Sequence, residues 1–398
     1  MHKYHFQLMN LGHALNHFFI LIFPTAILGI QQDWGMSYDE LLRLGSLGML
    51  AYGLGSLPSG WLGDRWSKRA MMLLFFFGMG IAAMFTALAQ TPFQLSIGVI
   101  AIGLFASIYH PVGIALVFAT TEKTGRAIAV NGLAGNIGLA CATAVTAFLT
   151  QTINWQSSFF IPGILCVLTG MVYSRVSKDV SYQQQNRKQQ SSVSQNQLLR
   201  LLLAIAIIAT FGGLVFQTIT AALPKILQDT FTLPLSQIGL LATGIFTLAA
   251  FAQLIIGELI DRVSAKQLLF CVVGGQTSFL LLASVTSGWT LVLCLTGLVF
   301  STYAQIPIND WLIGKSTSDK WRSTVYAVKY MLSFTTGPIA YWLIAYSYST
   351  PSETTNHFSS LYWLLAGVMC LSVAAVVFMP GEKTSSVKQS TRSVVPNR

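Results

Sequence analysis

Charge is the first thing this chain lacks. Only 9% of its residues are Asp, Glu, Lys or Arg, where soluble domains carry about a quarter, so a water-covered globule is excluded. Cysteine is sparse as well: Cys141, Cys166, Cys271, Cys294 and Cys370 each sit alone in an apolar run. That spacing excludes a disulfide framework or a thiolate metal centre and suits small packing residues. A Gly-rich Walker loop is absent, which argues against transport driven directly by ATP. No nucleophile with a base and no convergent acid pair stands out, and His13 with His17 is too small a ligand set for zinc. The expectation is a protein that is not an enzyme and needs no metal or cofactor.

What the chain has is apolar length. Hydrophobic residues make up 53% of its 398 positions, with a mean hydropathy of +0.61. A bilayer core takes about 20 apolar residues per helix, so the solvent for most of this chain is lipid. Apolar runs between breakers predict spans near 8–30, 41–62, 70–89, 93–119, 126–150, 156–174, 199–223, 235–257, 267–286, 288–313, 322–345 and 357–379. The first run is long enough to span and lacks a small-residue cleavage site after it, so it reads as a retained helix.

The net charge of +10 is not a nucleic-acid footprint. The bases fall in twos and threes between apolar runs, with no aromatic-studded face. With a cytoplasmic N-terminus, 20 of the 23 Lys and Arg residues lie in cytoplasmic connectors or tails, and only Arg43, Lys225 and Lys329 lie elsewhere. The bias predicts a bacterial inner-membrane protein with both termini in the cytoplasm.

The chain also repeats. Gly60–Arg69 (GWLGDRWSKR) recurs at Gly257–Lys266 (GELIDRVSAK), 197 residues later, and Pro111 is matched by Pro307, 196 later. Between the copies, Ser181–Gln197 (SYQQQNRKQQSSVSQNQ) has no apolar period and reads as a flexible linker. The expected organisation is a six-helix half at 1–174, a cytoplasmic linker at 175–198, a second half at 199–379 and a tail at 380–398. Duplicated parallel halves are a recurrent transporter architecture.

The Gly60–Arg69 loop with its weaker copy resembles the signature of the major facilitator superfamily. Ile108-Tyr109-His110-Pro111 and Ala134-Gly135-Asn136-Ile137-Gly138 resemble the fosmidomycin-resistance branch of that family. The resemblance implies an all-α membrane protein of twelve transmembrane helices in two pseudo-symmetric halves, usually monomeric. It implies gating roles for Gly60, Asp64, Arg65 and Arg69, and for Asp261 and Arg262 in the copy. The chain departs from many proton-coupled drug exporters of this family in having no Arg between Phe93 and Thr120.

Ionisable groups inside a span are costly and therefore candidates for function. His17, His110 and Asn136 fall near mid-depth of the first, fourth and fifth spans, and His13, Asn16 and His17 share a helix face. This cluster is expected to bind substrate or exchange protons, the alternative being hydrogen bonds to neighbouring helices. Asp310 and Lys329 are expected to pair, as a gate, a charged corner of the site, or a static strut. Tyr326, Lys329, Tyr330 and Ser333 form one stripe, and Gln217 and Gln305 are further candidates for cavity hydrogen bonds. Gly132, Gly135 and Gly138 read as small surfaces for close helix crossing.

The function expected is secondary active, proton-coupled transport of a small organic metabolite or drug-like compound by alternating access, with export favoured. Import of an organic anion or siderophore is the alternative, and a transporter-like sensor that does not translocate is a third reading.

Overall fold

The computed structural model describes residues 3–120, 124–177, 195–260, 262–317, 319–349 and 357–380. The helices are α1 (Lys3–Trp34), α2 (Tyr38–Arg65), α3 (Lys68–Thr86), α4 (Pro92–Ala106), α5 (Ile114–Thr120), α6 (Thr124–Thr152), α7 (Trp155–Val176), α8 (Gln195–Thr230), α9 (Leu235–Leu259), α10 (Ala265–Ala283), α11 (Gly288–Ser316), α12 (Asp319–Phe334), α13 (Thr336–Ser349) and α14 (Ser359–Phe378). A π-helical turn, Tyr109–Gly113, joins α4 to α5 as one span, and α12 runs into α13 as another. The result is twelve transmembrane helices in two pseudo-symmetric halves. Residues 178–194 of the 175–198 linker and 381–398 of the 380–398 tail lie outside the described residues, and α7 and α8 extend into the linker's two ends.

Local sequence sets the helix ends. Ser37 opens α2 with a capping box, its side chain and that of Glu40 each satisfying the other's backbone N–H, which leaves fewer orphan donors at the terminus. Thr91 caps α4 ahead of Pro92, and Asn154 caps α7. At the opposite ends of two spans, repeat-related bases do the same work. Arg69 donates to the carbonyls of Ser174 at 2.7 Å and Ser177 at 2.9 Å, closing α7. Its copy Lys266 donates to the carbonyls of Val377 and Met379, closing α14. A cation on terminal carbonyls satisfies them and complements the helix dipole.

Ten helical segments are long and apolar enough to cross a membrane. Span two (α2) and span eleven (α12 with α13) are not among them, and these two pack on each other across the boundary between the halves. On the faces that meet, they tolerate polar residues and glycine, while Leu47, Leu54, Ile339 and Trp342 point outward. A Cβ at Gly53 would lie 3.0 Å from Thr335 N, and one at Gly337 would lie 2.7 Å from Met49 Cε. The second seam joins α6 to α9, where Thr143 Oγ1 lies 3.0 Å from Thr243 Oγ1 and Gln151 accepts from the Ser236 N–H.

The end of the bundle away from the Lys68–Arg69 loop is closed by a charged aromatic latch. Lys225 Nζ pairs with Asp229 at 2.7 Å and lies 4.9 Å from the Tyr348 ring centre and 5.6 Å from that of Tyr38. Tyr38 and Tyr348 meet edge-on, so one lysine bridges both halves.

Candidate functional site

Two tiers of polar side chains meet at the boundary between the halves. The first is a histidine cluster. His13 and His17 lie one turn apart on α1, and their Nε2 atoms are 3.1 Å apart. His13 Nδ1 donates to the Asn131 carbonyl oxygen at 2.7 Å. A carbonyl only accepts, so Nδ1 carries the hydrogen, and in the neutral ring Nε2 holds the lone pair. Asn131 is itself held: its amide donates to Tyr109 Oη at 2.9 Å, and Tyr109 Oη donates to the Met9 carbonyl at 2.7 Å. Tyr109 stacks on His13 at 4.8 Å.

His110 arrives from the π turn. Pro111 has no N–H to offer the preceding turn, and the backbone widens there, as π turns at functional sites often do. The turn brings His110 edge-on to both other rings, 5.2 Å from His13 and 5.3 Å from His17 between centres. His110 is 8% exposed, and neither of its ring nitrogens has a hydrogen-bond partner among the described residues. One nitrogen from each of the three rings lies within 4.8 Å of the others. The sequence supplied a set of two histidines; the structure supplies three, because span four delivers a ring to the same depth as span one.

The second tier belongs to the other half. Tyr330 stacks on His110 at 5.4 Å and Phe334 lies 5.0 Å from it, while Phe334 stacks on Tyr52 of α2. Lys329 Nζ lies 4.1 Å from the Tyr330 ring centre and 2.9 Å from Asp310 Oδ1. Tyr326 donates to the Asp310 backbone carbonyl at 2.7 Å, and Tyr330 to Asp310 Oδ2 at 3.4 Å. The tiers are thus one continuous assembly, imidazoles on the first half and an ion pair with two phenols on the second.

The remaining candidates divide. Asn136 is buried with its Nδ2 unpartnered among the described residues, so it has a donor to spare. Gln217 lies at the half boundary, its Nε2 3.4 Å from where a Cβ on Gly337 would sit. Gln305 is fully engaged elsewhere, donating to the Ile208 carbonyl at 3.0 Å and accepting from Gln276 at 2.9 Å. It ties spans seven, nine and ten together. In the loop motif, Gly60 lets span two approach Pro111 within 3.3 Å of a Cβ position. Arg65 lies over Trp61 and Arg262 pairs with Glu258, each within its own segment of chain, while Arg69 serves as the cap described above. Asp261 and the side chain of Asp64 lie outside the described residues.

Sequence reading placed His13 on the face of His17 but left Asn131, Tyr109, Tyr52 and Phe334 out of the site. These have no sequence signature: an aromatic in a span reads as ordinary packing, and a lone Asn131 reads as a contact between helices.

The fold has solved counterparts. A bacterial homolog of the human lysosomal transporter Spinster, inward-facing and occupied, superposes with a TM-score of 0.70 at 14% identity, covering 95% of this chain and 94% of that one. A D-xylose–proton symporter superposes at 0.76 with 13% identity, covering 94% and 96%. By sequence, the chain is 25% identical to the nitrite extrusion protein of Bacillus subtilis over 65% of each chain. It is 24% identical to the probable L-galactonate transporter of Escherichia coli over 78% of this chain and 75% of that protein. The match spans slightly less than two thirds of the nitrite protein's length, and 75% of the galactonate protein's. The model of the Major Facilitator Superfamily matches twice, at residues 9–225 and 205–396, once for each half of the bundle. With twelve spans, duplicated halves and a family match along nearly its whole length, the chain belongs to the major facilitator superfamily.

Proposed function

We propose that this secondary transporter carries a small anionic solute by alternating access, the solute sitting between the histidine tier and Lys329. The observation that carries the reading is Lys329 itself: an ammonium 7% exposed, at the seam between the halves, with an aromatic face linking it to His110. A buried cation whose one carboxylate partner lies on the neighbouring span is suited to trade that partner for a ligand's charge. The printed names of relatives support the class: nitrite, L-galactonate, hexose phosphate, 4-hydroxybenzoate and gallate transport proteins all handle anions at neutral pH. Asn136 and the histidines supply neutral hydrogen bonds to the far end of the solute.

This places the organic anion ahead of a drug-like cargo. The likeness to the fosmidomycin-resistance branch rests on two short stretches of the first half, neither of which includes Lys329. Direction follows the gradients across the inner membrane, export or import alike. Proton coupling has a place at Asp310: protonating its carboxylate would free Lys329 for the anion, and the groups facing it are Lys329 and the phenols of Tyr326 and Tyr330.

Proteoliposome counterflow with a panel of labelled sugar acids, aromatic acids and inorganic anions tests this. Lys329→Met should lower counterflow of the accepted anion by at least about tenfold, the loss expected for a charge-assisted contact. Asp310→Asn should keep counterflow but abolish accumulation driven by a pH gradient. Transport of a neutral solute only, indifferent to Lys329→Met, would overturn the reading.

A further inference from the structure

We infer that His13, His17 and His110 form a binding site for one borderline divalent transition cation, of the Zn2+, Co2+ or Ni2+ kind. The inference stands on the geometry of the three rings and does not require the anion reading.

Three features carry it. The first is spacing. Two imidazole nitrogens on one tetrahedral zinc, each about 2.05 Å from the metal, sit about 3.3 Å apart. The Nε2 atoms of His13 and His17 are 3.1 Å apart, and a His pair at i and i+4 on a helix is a known way to grip such a cation from one face. His110 is the outlying member, within 4.8 Å. It has to close by about 1.5 Å at most to complete the set, a displacement within reach of rotation about its own side-chain bonds.

The second feature is orientation. A histidine ligand characteristically donates its other ring N–H to a carbonyl or carboxylate, which fixes the tautomer and aims the lone pair. His13 does this through Nδ1 to Asn131, and the carbonyl's residue is braced by Tyr109 and Asn10. The lone pair of Nε2 faces His17 Nε2, from which it accepts a hydrogen bond at 3.1 Å in the metal-free protein, a bond that a cation binding both rings replaces. The backbone is shaped for it: a Cβ at Gly135 would fall 2.8 Å from His13 Nε2 and 2.9 Å from His17 Cδ2.

The third is the unmet capacity of His110. Both its nitrogens are buried without a hydrogen-bond partner among the described residues, an expensive arrangement for a polar group. A metal ligated by one of them would satisfy that nitrogen and remove part of the cost.

The donor chemistry selects the cation. Three imidazoles without a carboxylate suit Zn2+, Co2+ or Ni2+ and offer nothing to Ca2+ or Mg2+, which require oxygen. Asp310, the acid of the adjacent tier, is committed to Lys329. Three protein ligands leave a fourth position, which water or an oxyanion can take from the Tyr330 side.

Tag-free, full-length protein in detergent is titrated with Co2+, and its visible ligand-field bands are followed. The chain has six histidines, so a control variant carries His2→Ala, His5→Ala and His357→Ala together. Saturation at one Co2+ per chain, kept in that control, displaced by Zn2+ and weakened at least about tenfold by His17→Ala or by His110→Gln, is the expected result. No saturable spectrum in the native chain, or binding that survives His110→Gln but is lost in the control variant, overturns the site. His110→Gln retains size and polarity, and its monodispersity and melting temperature verify that it is folded. Anion counterflow run in excess ethylenediaminetetraacetate separates the two ideas: a working transporter without a Co2+ signal sinks only the metal site.

Discussion

At the scale of single residues, the site depends on one glycine as much as on its polar groups. Gly135 lies on α6 where α1 crosses it, with His13 and His17 in van der Waals contact above it. Gly135→Ala forces the imidazoles off their positions, an overpacking that costs about 1–3 kcal/mol. Its melting temperature should fall and its counterflow should drop; Gly132→Ala, whose Cβ would meet only Gln253 at 3.6 Å, should do neither. Equal behaviour of the two variants would show that the crossing has slack. The residue scale is also where sequence reading reached its limit. Depth along a helix was legible for His17, His110 and Asn136, because rise per residue is fixed. Rotation about the helix axis was not, so a cavity contact and a tie between helices were equally open for Gln305, which bonds to Ile208 and Gln276.

At the scale of elements, span four is the unusual one. Its repeat partner α11 carries Pro307 and stays α-helical from Gly288 to Ser316, whereas Pro111 sits in a π turn. Pro111→Ala returns an N–H to the backbone and allows the regular ladder to close, which withdraws His110 by part of a turn. Stability should stay level or rise, since interior proline costs a helix about 3 kcal/mol, while counterflow falls. A variant with lower stability and full transport would mean that the turn serves packing and not placement. The break was not legible, because Pro111 and Pro307 look alike as letters; what separates them is how neighbouring spans hold the chain on either side.

At the scale of the whole molecule, the halves touch chiefly along two seams, α2 with α12 and α13, and α6 with α9, with a smaller contact of α1 on α8. Alternating access requires a seam to open, and the Thr143–Thr243 contact at 3.0 Å gives a way to prevent it. With the five native cysteines replaced, Thr143→Cys and Thr243→Cys should cross-link under mild oxidation and stop transport, and reductant should restore it. Full transport in the cross-linked state would remove rocking at this seam from the mechanism. This is the scale at which sequence spoke most clearly. Lipid demands about 20 apolar residues per crossing, so spans, halves and duplication are written in periods that a linear reading detects. That reading is weakest at α2 and α12, whose faces at the seam carry glycine and polar residues and which are not among the ten strongly apolar spans.

The placement of the two tiers breaks the repeat. All three histidines belong to the first half, and both Asp310 and Lys329 to the second. At the repeat offset of 196, His110 faces Ile306, Asp310 faces Ile114 and Lys329 faces Leu133. The halves share a scaffold, down to the Arg69 and Lys266 caps, and differ in the chemistry they bring to the centre. The two-fold pattern of the scaffold therefore stops at the site: the imidazoles come from one half and the ion pair from the other, so a site built from both tiers needs both halves.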